Sequence, residues 1–158
     1  MTQARPLPPD RMRCRVDIAN EQTRPVDLDT LKLAIERVIA SSSFQDVTIS
    51  LAIIDDEKMH ALNRQFLNHD YPTDVLSFPL ERDAEAATLV GEIIVSADTA
   101  HEVAVEYDWP YEHELLLYVI HGALHLVGFD DKSEEKVIEM RKAEEEILAS
   151  FSVEHRYR

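Results

Sequence analysis

Glycine is scarce in this sequence, with three among 158 residues, and cysteine occurs once. So few glycines exclude a Gly-rich phosphate loop of the Rossmann or Walker kind. With seven prolines, they also argue against long disordered or low-complexity stretches. The lone Cys14 rules out an internal disulfide framework and makes a reduced, cytoplasmic setting the expectation. Long apolar runs are missing too. The longest, Leu115 to Val127, has 13 residues, two of them histidines, and is too short to span a bilayer. It reads as a buried core helix, and no membrane partner is expected. The first 15 residues contain arginines but neither an apolar h-region nor a small-residue cleavage site, so no secretory signal is expected. No repeat of solenoid length is visible.

Basic residues are in the minority. Lysine and arginine number 16 against 31 acidic residues, a formal net charge of −15. The excess is concentrated in residues 81–150, which hold 18 acids and 5 bases, whereas residues 1–25 hold five arginines and three acids. A field of that sign repels nucleic acid in bulk, so RNA binding would need a local basic patch or a metal ion. Taken by itself, the charge describes a solvated acidic surface and requires no partner.

At 45% hydrophobic residues the chain is rich enough for one sizeable core. The Pro-rich residues 1–11 read as a loose arm and residues 12–158 as one domain. Alternation in Cys14 to Ile18 and in Val47 to Ile53 predicts two strands. Between them, Leu31, Ile35, Val38 and Ile39 recur at helical spacing behind Asp27 or Asp29 as cap. Asp55-Asp56-Glu57 opens a further helix with Met59, Leu62 and Phe66 on one face, and Pro72 ends that region. Val75 to Phe78, bounded by Pro72 and Pro79, predicts a short strand with a free edge, followed by a strand over Leu89 to Val95. Ser96 or Asp98 opens a helix through Tyr107. Pro110 falls in the first turn of the buried helix, which runs from about Tyr111 to Val127 and stops at Gly128. Asp131 or Ser133 starts a last helix to about Phe151. The order βαβαββααα predicts an α+β domain, one mixed sheet of about four strands packed with about five to six helices.

Chemistry concentrates in His121-Gly-Ala-Leu-His125-Leu-Val-Gly128-Phe-Asp-Asp131. Residues at i and i+4 share a helical face, so both imidazoles can hold one ion. Gly128 then breaks the helix and lets the chain turn back, bringing Asp131 within reach as a third ligand. Three protein ligands of this type suit one zinc ion and leave a position open for water, which ionises near neutral pH when bound. A buried histidine is ordinarily a hydrogen-bonded core residue. Two of them inside an apolar run would leave polar rings without partners at a cost of several kcal/mol, about the size of transfer penalties. Asp131 also fits a capping role for the last helix, through Asp131-Lys-Ser-Glu134, and Asp130 is an alternative ligand; the spacing after Gly128 points to Asp131. Residue 122 is glycine, so the HExxH arrangement of metalloproteases, with its glutamate base, is absent.

The same segment, with Pro72-Thr-Asp-Val-Leu-Ser-Phe-Pro79 and Gly91-Glu-Ile-Ile, resembles the YbeY family from about Val47 to Phe151. That resemblance implies an α+β zinc-dependent endoribonuclease acting on single-stranded RNA in ribosomal RNA maturation, with the ribosome or its small subunit as a partner. It also implies that His121 and His125 are the first two zinc ligands and that Ser77 lines the cleft. Two positions depart from the family's pattern. The usual third histidine is Asp131 here. The arginine usual five residues before the proline of the PTDVLSFP-like motif is replaced by Leu67, with Arg64 one turn earlier on the same face. Ser77, with Arg64 or an N-terminal arginine, is then expected to position phosphate. Two other readings are a metal-stabilised, non-catalytic ribosome-associated protein and a zinc protease-like hydrolase, the latter disfavoured by Gly122.

Overall fold

The computed structural model describes residues 12–67 and 74–155, leaving the N-terminal arm and Pro72 outside the described residues. Strand β1 (Arg13–Glu21) is followed by helix α1 (Leu28–Ala40), strand β2 (Asp46–Ile54) and helix α2 (Asp56–Leu62). After α2 come a π turn (Asn63–Leu67), the hairpin strands β3 (Val75–Asp83) and β4 (Thr88–Ser96), and helices α3 (Ala97–Glu106), α4 (Tyr111–Leu126) and α5 (Glu134–Ala149). The four strands form one sheet in the order β1-β2-β4-β3. β1, β2 and β4 run parallel, and β3 pairs antiparallel with β4. The domain is therefore α+β with a mixed sheet, and β3, which contains Pro79, lies at the edge of the sheet, where a residue lacking an N–H is tolerated.

Alternation decides which face is buried. Val47, Ile49, Leu51 and Ile53 of β2 and Leu89, Ile93 and Val95 of β4 point to one side and are almost wholly enclosed. Helices α1 and α4 cover that side, α1 through Leu31, Ile35, Val38 and Ile39. The opposite side carries a smaller cluster, Ile54, Met59, Leu76 and Ile94, beneath α2. Helix α4 is apolar nearly all round because it is enclosed by the sheet, α1, α3 and α5. Its one buried acid near the start, Glu114, accepts a 2.8 Å hydrogen bond from Trp109 Nε1.

The caps fall as the side-chain chemistry demands. Asp27, Asp55, Ser96 and Ser133 each accept a hydrogen bond from the backbone N–H three residues on. Ser133, not Asp131, caps α5, which leaves the Asp131 carboxylate uncommitted. Pro110 precedes the first residue of α4 instead of occupying its first turn. β3 extends five residues past Phe78, because an irregularity at Pro79 lets pairing resume at Glu81.

Candidate metal centre

Helix α4 presents His121 and His125 one turn apart, their ring centroids 4.5 Å from each other. Their Nε2 atoms lie 2.9 Å apart. Beyond the helix the course of the chain is set by Gly128, whose φ of +116° is a conformation that a side chain would oppose. The Gly128 N–H bonds the His125 carbonyl at 3.1 Å and the Phe129 N–H bonds the Leu124 carbonyl at 3.0 Å. This pair of bonds is a Schellman stop, and it reverses the chain back over the histidines. Asp130 and Asp131 then divide the work. Asp130 accepts from the Lys132 N–H and from Lys136 Nζ, both at 3.0 Å, and so staples the loop to α5. Asp131 joins the histidines: one ligand-type atom from each of His121, His125 and Asp131 lies within 4.8 Å of the others. Among the described residues this is the only such group.

The donor set fits a zinc ion. Bonds of about 2.0–2.2 Å to nitrogen and oxygen let two ligand atoms on one ion stand up to roughly 4.2 Å apart. The two Nε2 atoms are inside that limit, and rotation of the exposed Asp131 side chain closes the rest. Neutral imidazoles whose Nε2 atoms converge at 2.9 Å can bond to each other only if one carries the proton there. A shared cation accepts both lone pairs at once.

Electrostatics split the pair. The Nδ1 of His121 lies 3.6 Å from Oε1 of Glu144, a carboxylate of α5 that is nearly buried. Burial of His121 works to lower its pKa, but Glu144, with Asp74 and Asp131 behind it, more than offsets this and leaves the pKa raised. Among the described residues no buried carboxylate pairs with His125, and the carboxylates that act on it are those of Asp131 and Asp130. Burial and the neighbouring His121 hold its pKa below the ordinary value, despite Asp131.

The group lies in a cleft of about 550 Å³ between β3 and the α4–α5 loop. Ser77 lines it, and its hydroxyl donates to the Gly122 carbonyl at 3.0 Å. Gly122 is where helix and strand approach closest. A Cβ there would sit 2.7 Å from Ile93 Cγ2 and 3.1 Å from Ser77 Oγ. No glutamate could occupy residue 122 without parting α4 from the sheet, which gives the missing HExxH base a packing cause. Arg64 is exposed on the π turn and is not among the described residues lining the cleft. The side chain of Leu67 lies outside the described residues.

Two participants escape a reading of motifs. Glu144 is hidden in the acidic run Glu144-Glu145-Glu146, yet Met140, Glu144 and Leu148 are the buried residues of α5 and stand at spacings of four. That phase is the signal that could have found it. Arg82 lines the cleft and has no sequence signature at all.

An α+β domain that holds two histidines and an aspartate at the floor of an open cleft is a metal-dependent hydrolase. The family model described as Endoribonuclease YbeY matches residues 17–152, and the chain belongs to this family of ribosomal RNA maturation. A protein named Endoribonuclease YbeY from Syntrophotalea carbinolica is 35% identical over 145 residues, covering 88% of this chain and 97% of that one. One of the same name from Sulfurovum sp. is 37% identical over 146 residues, covering 90% and 94%. A third, from Rhodopirellula baltica, is 46% identical over 109 residues, but the match spans 68% of this chain and only 55% of that relative. The solution structure of TM1509 from Thermotoga maritima superposes with a TM-score of 0.62 at 32% identity, covering 87% of this chain and 91% of that one.

Proposed function

We propose that this chain, through one domain over residues 12–158, cuts single-stranded RNA endonucleolytically during ribosomal RNA maturation in the cytoplasm. One zinc ion would be held by His121, His125 and Asp131. The observation that carries this reading is the convergence of those three side chains, with ligand atoms within 4.8 Å, at the floor of a cleft open to solvent. A zinc ion held there would supply Lewis acidity for hydrolysis of a phosphodiester.

The chain's own groups prepare the site. Glu144 fixes the His121 ring by facing its Nδ1, so that Nε2 is turned to the cleft. Ser77 has its proton committed to Gly122 and keeps oxygen lone pairs, which suit a ribose hydroxyl as donor. Arg64, outside the cleft lining, would act on the RNA strand only from a distance, through its charge. The ribosome or its small subunit is the partner that fits a nuclease of ribosomal RNA, the RNA being reached at single-stranded segments.

The test is cleavage of a single-stranded RNA oligonucleotide by the purified chain with one equivalent of zinc. Internal cuts are expected, lost on adding a chelator and regained on returning zinc. Zinc-loaded protein that leaves RNA intact overturns the reading and favours a non-catalytic binding role. Cleavage of casein instead would point to a protease.

A further inference from the structure

Strand β3 changes the face it presents halfway along. Val75, Ser77 and Pro79 pair with Val95, Ile93 and Gly91, on the side covered by α4, while Leu76 and Phe78 pair with Ile94 and Glu92 on the other. Simple alternation would keep Arg82 with Leu76 and Phe78, away from the histidines. The register instead shifts between Pro79 and Glu81, leaving Leu80 unmatched, and Arg82 pairs with Leu89. Leu89 belongs to the helix-covered core, and directly opposed residues share a face. One extra residue therefore moves Arg82 to the side of Ser77 and the metal group. Bulges re-aim side chains in this manner beside functional sites.

The Arg82 side chain lies in the cleft, with one N–H 3.4 Å from the carbonyl of Leu126 at the end of α4. The negative end of the helix dipole steadies the cation there. Four of its five donors are left for another ligand. Lys132, on the α4–α5 loop, lines the same cleft. Neither side chain has a carboxylate partner among the described residues, whereas nearby Lys136 is paired with Asp130. The cleft also carries Asp74, Asp130 and Asp131, and Lys132 lies within Coulombic reach of Asp130. In a chain of net charge −15, two cations that form no ion pair beside a metal-ligand group nonetheless point to an anionic ligand.

We infer that Arg82, with Lys132 on the facing loop, binds a backbone phosphate of the RNA strand next to the one being cut. The inference rests on the RNA-cleaving function proposed for the cleft. A guanidinium fork takes two phosphate oxygens at once and is the group for the task. Its contribution is to hold the strand in register with the metal group, so its loss is read in KM more than in kcat.

The experiment uses the full zinc-loaded chain and an end-labelled single-stranded RNA oligonucleotide at several salt concentrations. Wild type is compared with Arg82→Ala, Arg82→Gln, Arg82→Lys and Lys132→Ala, with zinc content and Tm recorded for each. Arg82→Ala should lower kcat/KM about 10- to 100-fold, mainly through KM, and flatten its dependence on salt, with zinc and Tm unchanged. Lys132→Ala should show a smaller loss of the same kind. Arg82→Gln, still able to donate to the Leu126 carbonyl but uncharged, should be as impaired as alanine, and Arg82→Lys should recover part. If wild type cuts RNA while Arg82→Ala matches it in kcat/KM and salt slope, the inference is overturned and the nuclease reading stands. Full recovery by glutamine also overturns it, by assigning Arg82 a structural tie to Leu126. A wild type that cuts no RNA overturns the nuclease reading first and this inference with it.

Discussion

His121 Nδ1 faces Glu144 Oε1 at 3.6 Å across the seam between α4 and α5, while the Nε2 of the same ring faces His125. A carboxylate behind a ligand histidine fixes ring orientation and raises the basicity of the other nitrogen. Glu144→Gln keeps the shape and removes the charge. Zinc affinity should fall about 10- to 100-fold, read by competition with a chromogenic chelator. Unchanged affinity would take Glu144 out of the site.

Gly122→Ala should destabilise the protein even though alanine is the better helix former. Helix propensity favours alanine by about 1 kcal/mol. Against that, the new Cβ would lie 2.7 Å from Ile93 Cγ2 and 3.1 Å from Val75 Cγ2, inside a closed helix–sheet contact. Overpacking of this kind costs about 1–3 kcal/mol, and a 2.7 Å approach to a β-branched side chain lies toward the costly end, so the expected net effect is a loss of up to about 2 kcal/mol, and the Ser77 to Gly122 bond shifts with it. Urea unfolding of the variant measures the balance. A stabilised variant would mean that α4 can slide off the sheet at no cost.

The element order and the two histidines are legible in the sequence because each rests on a local period. Val47, Ile49, Leu51 and Ile53 announce a strand by alternation, and His121 with His125 announces one helical face. What stays hidden depends on partners distant in sequence. The π turn at Asn63–Leu67 continues a helical pattern whose phase the sequence does not distinguish from α. Pro79 predicts an end of β3 at Phe78, since a proline removes a donor. On a free edge that loss is tolerated, and pairing continues to Asp83. Arg82 is illegible for the same reason: a bulge inverts the parity by which a strand's faces are read. The spacing after Gly128 already favours Asp131 over Asp130, but what Asp130 does instead needs the positions of Lys132 and Lys136.

Cys14 should be a slow nucleophile, and its ionisation should be coupled to folding. Burial pushes its thiol up to about 11, with Glu36 adding and Lys32 opposing. In the unfolded chain a thiol ionises near about pH 8.5. The folded state thus holds its proton where the unfolded state has released it, and this contribution to stability is present below about pH 8.5 and lost as pH rises toward 11. Between those values wild type should lose stability faster than Cys14→Ala. Alkylation by iodoacetamide at about pH 8 should lag far behind that of the urea-unfolded chain. Equal rates in the two states would show that the folded thiol is not held up.

Asp131 and Ser133 stand two residues apart and should respond to mutation in opposite ways. Ser133 Oγ accepts from the Lys136 N–H at 3.2 Å and caps α5, whereas the exposed Asp131 is grouped with the histidines. Ser133→Ala should therefore cost about 1 kcal/mol of stability and leave zinc affinity as it was. Asp131→Asn should do the reverse. Asparagine is a neutral and poor ligand for zinc, yet among the described residues no helix cap depends on the Asp131 carboxylate, the cap of α5 being Ser133. Zinc affinity should drop sharply with little change in the melting temperature of the metal-free protein. Asp131→His restores a nitrogen ligand at the same place and should recover most of the binding. The measurements are zinc titration and thermal unfolding of all three variants with and without metal. If Asp131→Asn binds zinc as tightly as wild type, the third ligand comes from elsewhere in the cleft, and Asp74, which also lines it, becomes the next residue to replace.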